Sequence, residues 1–269
     1  MRRVVEIENP MSEVHSILRP TLLGSLLDVA AHNRDRGAED LAIFEAGTVY
    51  RKGDGPLASE HQALGVLLRG RATPASWNGA QPKPADAFAA KGLLEAVFSA
   101  LRVELAVEPV HDRSYLHPGR SAVVLAAGET VGFVGEIHPL VAAAWDFHEP
   151  LAVFVFDLDR VLPLAPEWTH YRDFTSFPPV RQDLAVIVDE DVPAAQVLSV
   201  VRGAGREALA RADVFDVYHG DQVGAGRKSL ALHLVFEASD RTLSDEDVAP
   251  VRERIVAALR DELDGELRG

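Results

Sequence analysis

Four cations in the closing third of the chain, Arg181, Arg227, Lys228 and Arg241, carry the most suggestive chemistry in this sequence. Tyr218, His219 and His233 lie among them. Guanidinium and ammonium groups bind phosphates and supply salt-dependent affinity; rings stack on bases and supply selectivity. The set therefore points to RNA. Ordinary solvated charges on an acidic domain give the same pattern, and spacing alone leaves both readings open. A second set, His117, Glu136 and His138, has the side-chain types of a zinc site. Both histidines precede prolines, in LHPGR and EIHP, where turn and hydrogen-bonding roles are expected, so no metal ligand is assigned. Serine, histidine and aspartate are all present, but no G-x-S-x-G elbow supports a hydrolase. The chain has no cysteine, which removes thiolate nucleophiles, disulfides and cysteine-bound zinc together.

Bulk properties bound the setting of that chemistry. A chain of 269 residues suits two compact domains better than one, and an apolar fraction of 47% is ample for two cores. The net charge of −14 argues against non-specific duplex binding over the whole surface and leaves room for a local basic patch. No apolar run approaches the roughly 20 residues of a membrane span, and charge interrupts the opening MRRVVEIENP. The chain reads as a soluble cytoplasmic protein.

The elements that must position these residues follow from periodicity. In the first part, Val4–Ile7 reads as a short strand. Leu22, Leu23, Leu26, Leu27 and Ala30 form a helical stripe after Pro20. Leu41–Arg51, with an irregularity at Gly47, and His61–Arg69 read as a hairpin closed by a Gly53–Gly55 turn, and Gly70–Pro84 as a long loop holding Trp77 and Asn78. A helix over Asp86–Leu101 follows. Strands are expected around Leu105–Val110, Ser121–Ala127, Val131–Glu136 and Val153–Asp157, with a short helix after Pro139. This mixture is an α+β plan with a mostly antiparallel sheet. Pro163–Ser176 has no period and reads as a surface linker.

The second part is cleaner. Pro178 and Pro179 give a stiff extended entry to a strand over Asp183–Asp189. Pro193 opens a helix with Val197, Val200 and Val201 on one face. Val214–Tyr218 and the strictly alternating Ser229–Ala238 flank a loop over Gly220–Gly226. Ser244 and Asp247 suggest a capping box for a helix with Val248, Val251, Ile255, Leu259 and Leu263 on one face, and a last strand follows Gly265. The order β-α-β-β-α-β is the ferredoxin-like unit, with both helices on one face of the sheet and the other face open. Open faces of this kind often bind single-stranded RNA.

The motifs FPPVRQDLA (Phe177–Ala185), FDVYHG (Phe215–Gly220), GRKSLA (Gly226–Ala231) and RTLSDEDV (Arg241–Val248) resemble the ferredoxin-fold anticodon-binding domain of bacterial phenylalanyl-tRNA synthetase beta subunits. NPMSEVHSILRPTLL (Asn9–Leu23), IFEAGTVYR (Ile43–Arg51), AAKGLLE (Ala89–Glu95), LHPGRSA (Leu116–Ala122) and GEIHP (Gly135–Pro139) resemble the catalytic-like module of the same subunits. The resemblance runs in order over nearly the whole chain. It implies a degenerate class II synthetase-like antiparallel sheet domain over residues 1–163, a linker over 164–175 and an anticodon-binding domain over 176–269, swung by the linker to meet tRNA. It also implies that the sequence is the C-terminal portion of a longer subunit.

By the same resemblance, the candidate RNA-binding residues are Arg181, Asp183, Tyr218, Arg227, Lys228, Ser229, His233 and Arg241, with Gln182 where the family often has a second base. The implied partners are the catalytic alpha subunit, in an (αβ)2 heterotetramer, and phenylalanine tRNA, with no membrane. ATP and Mg2+ belong to the intact enzyme and no cofactor to this portion. A class II site needs a motif 2 arginine followed by an acid and a glycine-rich motif 3 strand ending in an arginine. Here Arg51 is followed by Lys52 and Gly53, and the LAVFVFDLDRVL strand reaching Arg160 lacks glycine, so no catalytic residue is assigned. The competing expectation is a stand-alone protein-interaction module of the same folds without an RNA role.

Overall fold

A computed structural model of the protein describes residues 4–13, 16–53, 57–73, 76–77, 81–169, 171, 177–220 and 222–268. Asp54 and Gly55 of the expected first turn, Asn78, and residues 170 and 172–175 of the expected linker lie outside the described residues. The chain forms two compact units, Met1–Thr169 and His170–Gly269.

In the first unit, β1 (Val5–Glu6) pairs with β2 (Ile17–Leu18). Helix α1 (Leu23–Arg34) follows Pro20 and buries Leu23, Leu26, Leu27 and Ala30, the stripe its spacing predicts. The β3 (Leu41–Lys52) and β4 (Ala58–Arg69) hairpin leads to α2 (Ala87–Leu101), whose N-terminus is capped by the Asp86 carboxylate accepting from the Ala89 N–H at 2.9 Å. Then come β5 (Ala106–Pro109), β6 (Leu116–Ala126), β7 (Glu129–Ile137), α3 (Pro139–Ala143), β8 (Leu151–Asp157) and α4 (Leu158–Val161). The sheet is antiparallel throughout in the order β3-β4-β8-β7-β6-β5. Strand β8 lies in its middle, and every residue from Leu151 to Phe156 is buried, which is why this run reads as apolar on both faces. On one face α1 and α3 pack over Leu67, Phe133, Val153 and Val155. On the other α2 packs over Val66, Val134, Phe154 and Phe156, with Phe98 edge-on to Phe156 at 5.1 Å between ring centroids.

Three local expectations are corrected. Gly47 marks no irregularity: β3 is paired residue for residue with β4 from Leu41 to Lys52. Its lack of a side chain clears the Arg19 guanidinium, which lies 2.4 Å from where a Cβ would stand and bonds the Thr48 carbonyl and the Glu45 carboxylate. The LHPGR segment opens β6 instead of forming a separate turn, with a register break between Leu116 and Ser121 that absorbs the proline and glycine. The strand carried to Arg160 in the sequence ends at Asp157. There the Asp157 carboxylate accepts the Arg160 N–H at 3.2 Å and starts α4 instead. Beyond it, Arg102 donates to the Pro166 carbonyl and the Thr169 hydroxyl, binding this part of the expected linker to the first unit.

The second unit comprises β9 (Val180–Asp189), α5 (Ala194–Gly205), β10 (Leu209–Tyr218), β11 (Arg227–Phe236), α6 (Asp245–Leu263) and β12 (Glu266–Leu267). Sheet order β10-β11-β9-β12, antiparallel throughout, is the ferredoxin-like arrangement. Strand β9 starts at Val180, before the expected Asp183, since the residues after Pro179 already pair with the end of β11. Both helices cover one face through Val197, Val201, Ile255 and Leu259, against Val186, Leu232 and their neighbours. The capping box forms as the sequence suggests, with the Asp247 N–H reaching the Ser244 hydroxyl at 3.3 Å and the Ser244 N–H reaching the Asp247 carboxylate at 2.9 Å. Among the described residues, no helix is long and apolar enough to cross a membrane.

Candidate functional site

The open face of the four-stranded sheet is set by strand alternation. On β11, Leu230, Leu232, Leu234 and Phe236 turn to the helices, so Arg227, Ser229, Ala231, His233 and Val235 face the other way. Antiparallel register places Asp183 and Asp213 on either side of His233, and Tyr218 beside Ser229. A bulge between Val214 and Asp216 inserts Phe215 as an extra residue in β10. The Phe215 ring stacks flat on His233, with centroids 3.8 Å apart and planes 12° apart, and stays half exposed. His233 Nδ1 meets the Asp183 carboxylate at 2.5 Å. The Arg268 guanidinium lies 4.4 Å above the Tyr218 ring and donates to the Gln222 side chain at 2.8 Å.

Most expected cations on or near this face are already engaged. Arg227 donates to Glu266 at 2.6 Å and to the Asp264 carbonyl at 3.1 Å. Its Nε makes no hydrogen bond and sits 3.5 Å from Asp189. The Glu266 bond holds the Arg227 guanidinium above its ordinary pKa, against the opposing effect of burial. Lys228 follows the helix-side parity of its strand and donates to the Glu190 carbonyl at 2.5 Å. Arg241 pairs with Asp247 at 3.1 Å, beside the start of α6 and away from the open sheet. His219 meets Glu190 at 3.1 Å. Arg181 is exposed, opposite Val235, and among the described residues its guanidinium has no partner.

The structure therefore gathers Arg181, Asp183, Tyr218, Arg227, Ser229 and His233 on one face and separates Lys228 and Arg241 from them. Sequence reasoning missed Phe215 and Arg268 as part of this face. The first was legible as an aromatic residue next to the inward Val214. The second reaches the face from the shortest strand edge, where two residues give no alternation to read.

The resulting surface is nearly neutral. Acids Asp183, Asp213, Asp189 and Glu266 face or pair with His233 and Arg227, and Arg211 meets Asp213 at 2.5 Å. Such a face offers base stacking on rings and edge contacts from His, Tyr and Asp, with few uncommitted charges for phosphate, while Ser229 is buried beneath its neighbours.

In the first unit, the set His117, Glu136 and His138 is not assembled. Glu136 is buried and bound by Arg120 at 2.8 Å. His138 caps α3 by accepting the Leu140 N–H at 3.2 Å, and His117 accepts the Gly119 N–H at 3.1 Å. His138 takes a capping role and His117 a local hydrogen-bonding role inside β6. Elsewhere in this unit, a cavity of about 570 Å³ opens beside α1, and Arg51, Arg113, Arg160, His61 and Asp157 line it with apolar side chains. Ligand atoms of His61, Asp157 and Asp159 lie within 4.8 Å of one another. The Arg160 guanidinium, 3.8 Å from Asp157, already supplies positive charge there.

Arg51 and Arg160 thus share one cavity, but its residues do not fit Mg-ATP. The β8 wall offers Val155 and Phe156 in place of glycines, Lys52 and Gly53 stand where the clamp needs an acid, and Asp157 is taken up by α4, His61 and Arg160.

A family model described as the phenylalanyl tRNA synthetase beta chain CLM domain matches residues 1–159, and one described as the ferredoxin-fold anticodon binding domain matches residues 175–268. A phenylalanine–tRNA ligase beta subunit of Symbiobacterium thermophilum is 41% identical over 274 residues, covering 99% of this chain and 30% of that protein. The beta subunit of Moorella thermoacetica is 40% identical over 268 residues, covering 99% of this chain and 33% of its own. A solved pyrrolysyl tRNA synthetase of Desulfitobacterium hafniense aligns with 59% of this chain and 52% of its own at 20% identity and a TM-score of 0.43, too loosely to argue from. The chain spans about a third of the length of the curated relatives it matches.

Proposed function

The chain belongs to the phenylalanyl-tRNA synthetase beta-chain family, and from that premise we propose that it serves as a non-catalytic, tRNA-binding portion of a phenylalanine–tRNA ligase. In this reading residues 1–163 are a catalytic-like domain that packs on an alpha subunit, 164–175 join the two parts, and 176–269 contact the anticodon region of phenylalanine tRNA. The intact enzyme would be a cytoplasmic (αβ)2 heterotetramer using ATP and Mg2+ at the alpha subunit's site. No step of the reaction runs through the cavity described above, and the purified chain is expected to give no ATP–pyrophosphate exchange.

The observation that carries the RNA reading is the open sheet face with the stacked Phe215–His233 pair, Tyr218 and the unpaired Arg181. Rings on an otherwise neutral sheet suit unstacked single-stranded bases better than a duplex. Binding of the chain to phenylalanine tRNA and to an anticodon-substituted tRNA, at two salt concentrations, tests it. Preferential binding of the first supports the reading. Equal binding of both, or none, returns the second unit to the protein-interaction alternative, which an alpha-subunit pull-down then examines.

A further inference from the structure

We propose that the cavity of the first unit binds a small organic anion, a monocarboxylate with an aromatic-sized apolar body. The cavity, about 570 Å³, falls within the roughly 300–1,000 Å³ of small-molecule sites. Its walls are apolar and stiff. Leu23 and Leu27 of α1, Val49 and Val155 of the sheet, and Phe133 belong to the packed core of this face. Trp145 is fixed by its indole N–H donating to Asp28 at 2.7 Å, and Tyr115 is held edge-on to Phe133 at 5.3 Å. Walls already ordered this way lose little further freedom when a ligand enters.

The charge comes from two arginines that the protein itself does not use. Among the described residues, neither Arg51 nor Arg113 has a side-chain partner, although the chain holds 41 acidic against 27 basic residues. Arg160, by contrast, is committed to the Thr130 carbonyl at 3.1 Å and to Asp157. An uncompensated guanidinium beside an apolar pocket attracts a carboxylate, which makes charge-assisted bonds that a neutral ligand cannot make. Asp157, which also lines the cavity, disfavours a polyphosphate and so limits the ligand's charge. A single negative charge with a body of one or two rings satisfies the walls and both ends. Gly24 lines the cavity, and a Cβ built there meets nothing within 4 Å, so the helix leaves this space unfilled.

Titration calorimetry on the whole chain with 1-naphthylacetate, and with its uncharged amide 1-naphthylacetamide, tests the assignment. The acid is expected to bind one to one and ~10-fold or more tighter than the amide, and to weaken with added salt. Arg113→Gln and Arg51→Gln should each cost ~5-fold or more in affinity without lowering the thermal midpoint, since neither side chain supports the fold. Gly24→Leu should abolish binding while leaving the midpoint equal or higher, because it fills space on a helix that glycine weakens. Equal binding of acid and amide, no saturation by ~5 mM acid, or unchanged affinity in Gly24→Leu would overturn the proposal. RNA binding by the second unit does not enter any of these readouts.

Discussion

Removing the Phe215 ring is the sharpest way to ask whether the open sheet face is the RNA surface. Phe215 is 50% exposed and touches the sheet through His233 alone among ring contacts of the described residues, so Phe215→Ala removes a stacking platform without opening the core. The lost ring pair costs about 1 kcal/mol of stability at most. A base stacked on an aromatic side chain contributes about 1–3 kcal/mol, so the middle of that range gives about 2 kcal/mol, or about 30-fold in affinity for phenylalanine tRNA. No charge is removed, so the slope of log affinity against log salt should not change. Arg181→Gln supplies the complementary result: a modest loss of affinity and a slope shallower by about 0.7, one single-strand phosphate contact. Filter binding or fluorescence anisotropy over a salt series reads both. Phe215→Ala binding within about twofold of wild type, with the fold intact, would refute the stacking argument.

Three further predictions concern the frame that holds the sites. Gly132→Ala places a Cβ 2.2 Å from the Val155 carbonyl and 2.7 Å from the Phe156 Cβ, where β7 meets the central strand, and should destabilise the first unit by about 2–3 kcal/mol in urea unfolding. Ser244→Ala removes the hydroxyl that caps α6 and should cost the second unit about 1 kcal/mol. The partner carboxylate titrates with that cap: Asp247 is held below its ordinary 3.8 first by the Ser244 backbone N–H, then by the Ser244 hydroxyl. A carboxylate whose pKa is lowered on folding contributes fully above its unfolded value and loses that contribution as pH falls through the folded value. The stability gap between wild type and Asp247→Asn should therefore be constant above about pH 5 and close progressively below 3.8, followed by urea midpoints across the acid range.

How much of this was legible in the sequence depends on which forces set each feature. The stripes of α1 and α6, the alternation of β11 and the Ser244–Asp247 box are local patterns, and each appears where its spacing puts it. The end of β8 falls at Asp157, where the apolar run puts it, and only the motif 3 comparison carried the strand on to Arg160, where α4 forms instead. There the Arg160 N–H donates to the Asp157 carboxylate and caps the start of α4. Gly47 was misread: a glycine in a strand can mark a bulge or a close approach, and only the position of Arg19 decides between them. The candidate site was harder to read. Arg227, Lys228 and Arg241 looked alike in sequence, yet their partners come from residues 266, 190 and 247 respectively, tens of positions away for the first two. Pairing of charges across a sheet or a helix cap is a tertiary property, invisible to composition.

That pairing changes what a cation means in this chain. With acids outnumbering bases, an arginine placed anywhere near its neighbours tends to be neutralised, as Arg69 is by Glu149, Arg71 by Asp40 and Arg120 by Glu136. Each such pair at the surface contributes little to stability, but it removes the arginine from the pool available to a ligand. A count of basic residues therefore overstates the pull of the second unit on phosphate. It also understates the first, where among the described residues Arg51 and Arg113 are unpaired beside a concave apolar setting that strengthens their attraction for an anion. In the proposed reading the open face, with rings at its centre and Arg181 unpaired among the described residues, would hold bases more than backbone. On that reading, tight binding there would need the rest of the tRNA to be positioned by other surfaces of the proposed assembly, so the isolated chain should bind more weakly than the whole.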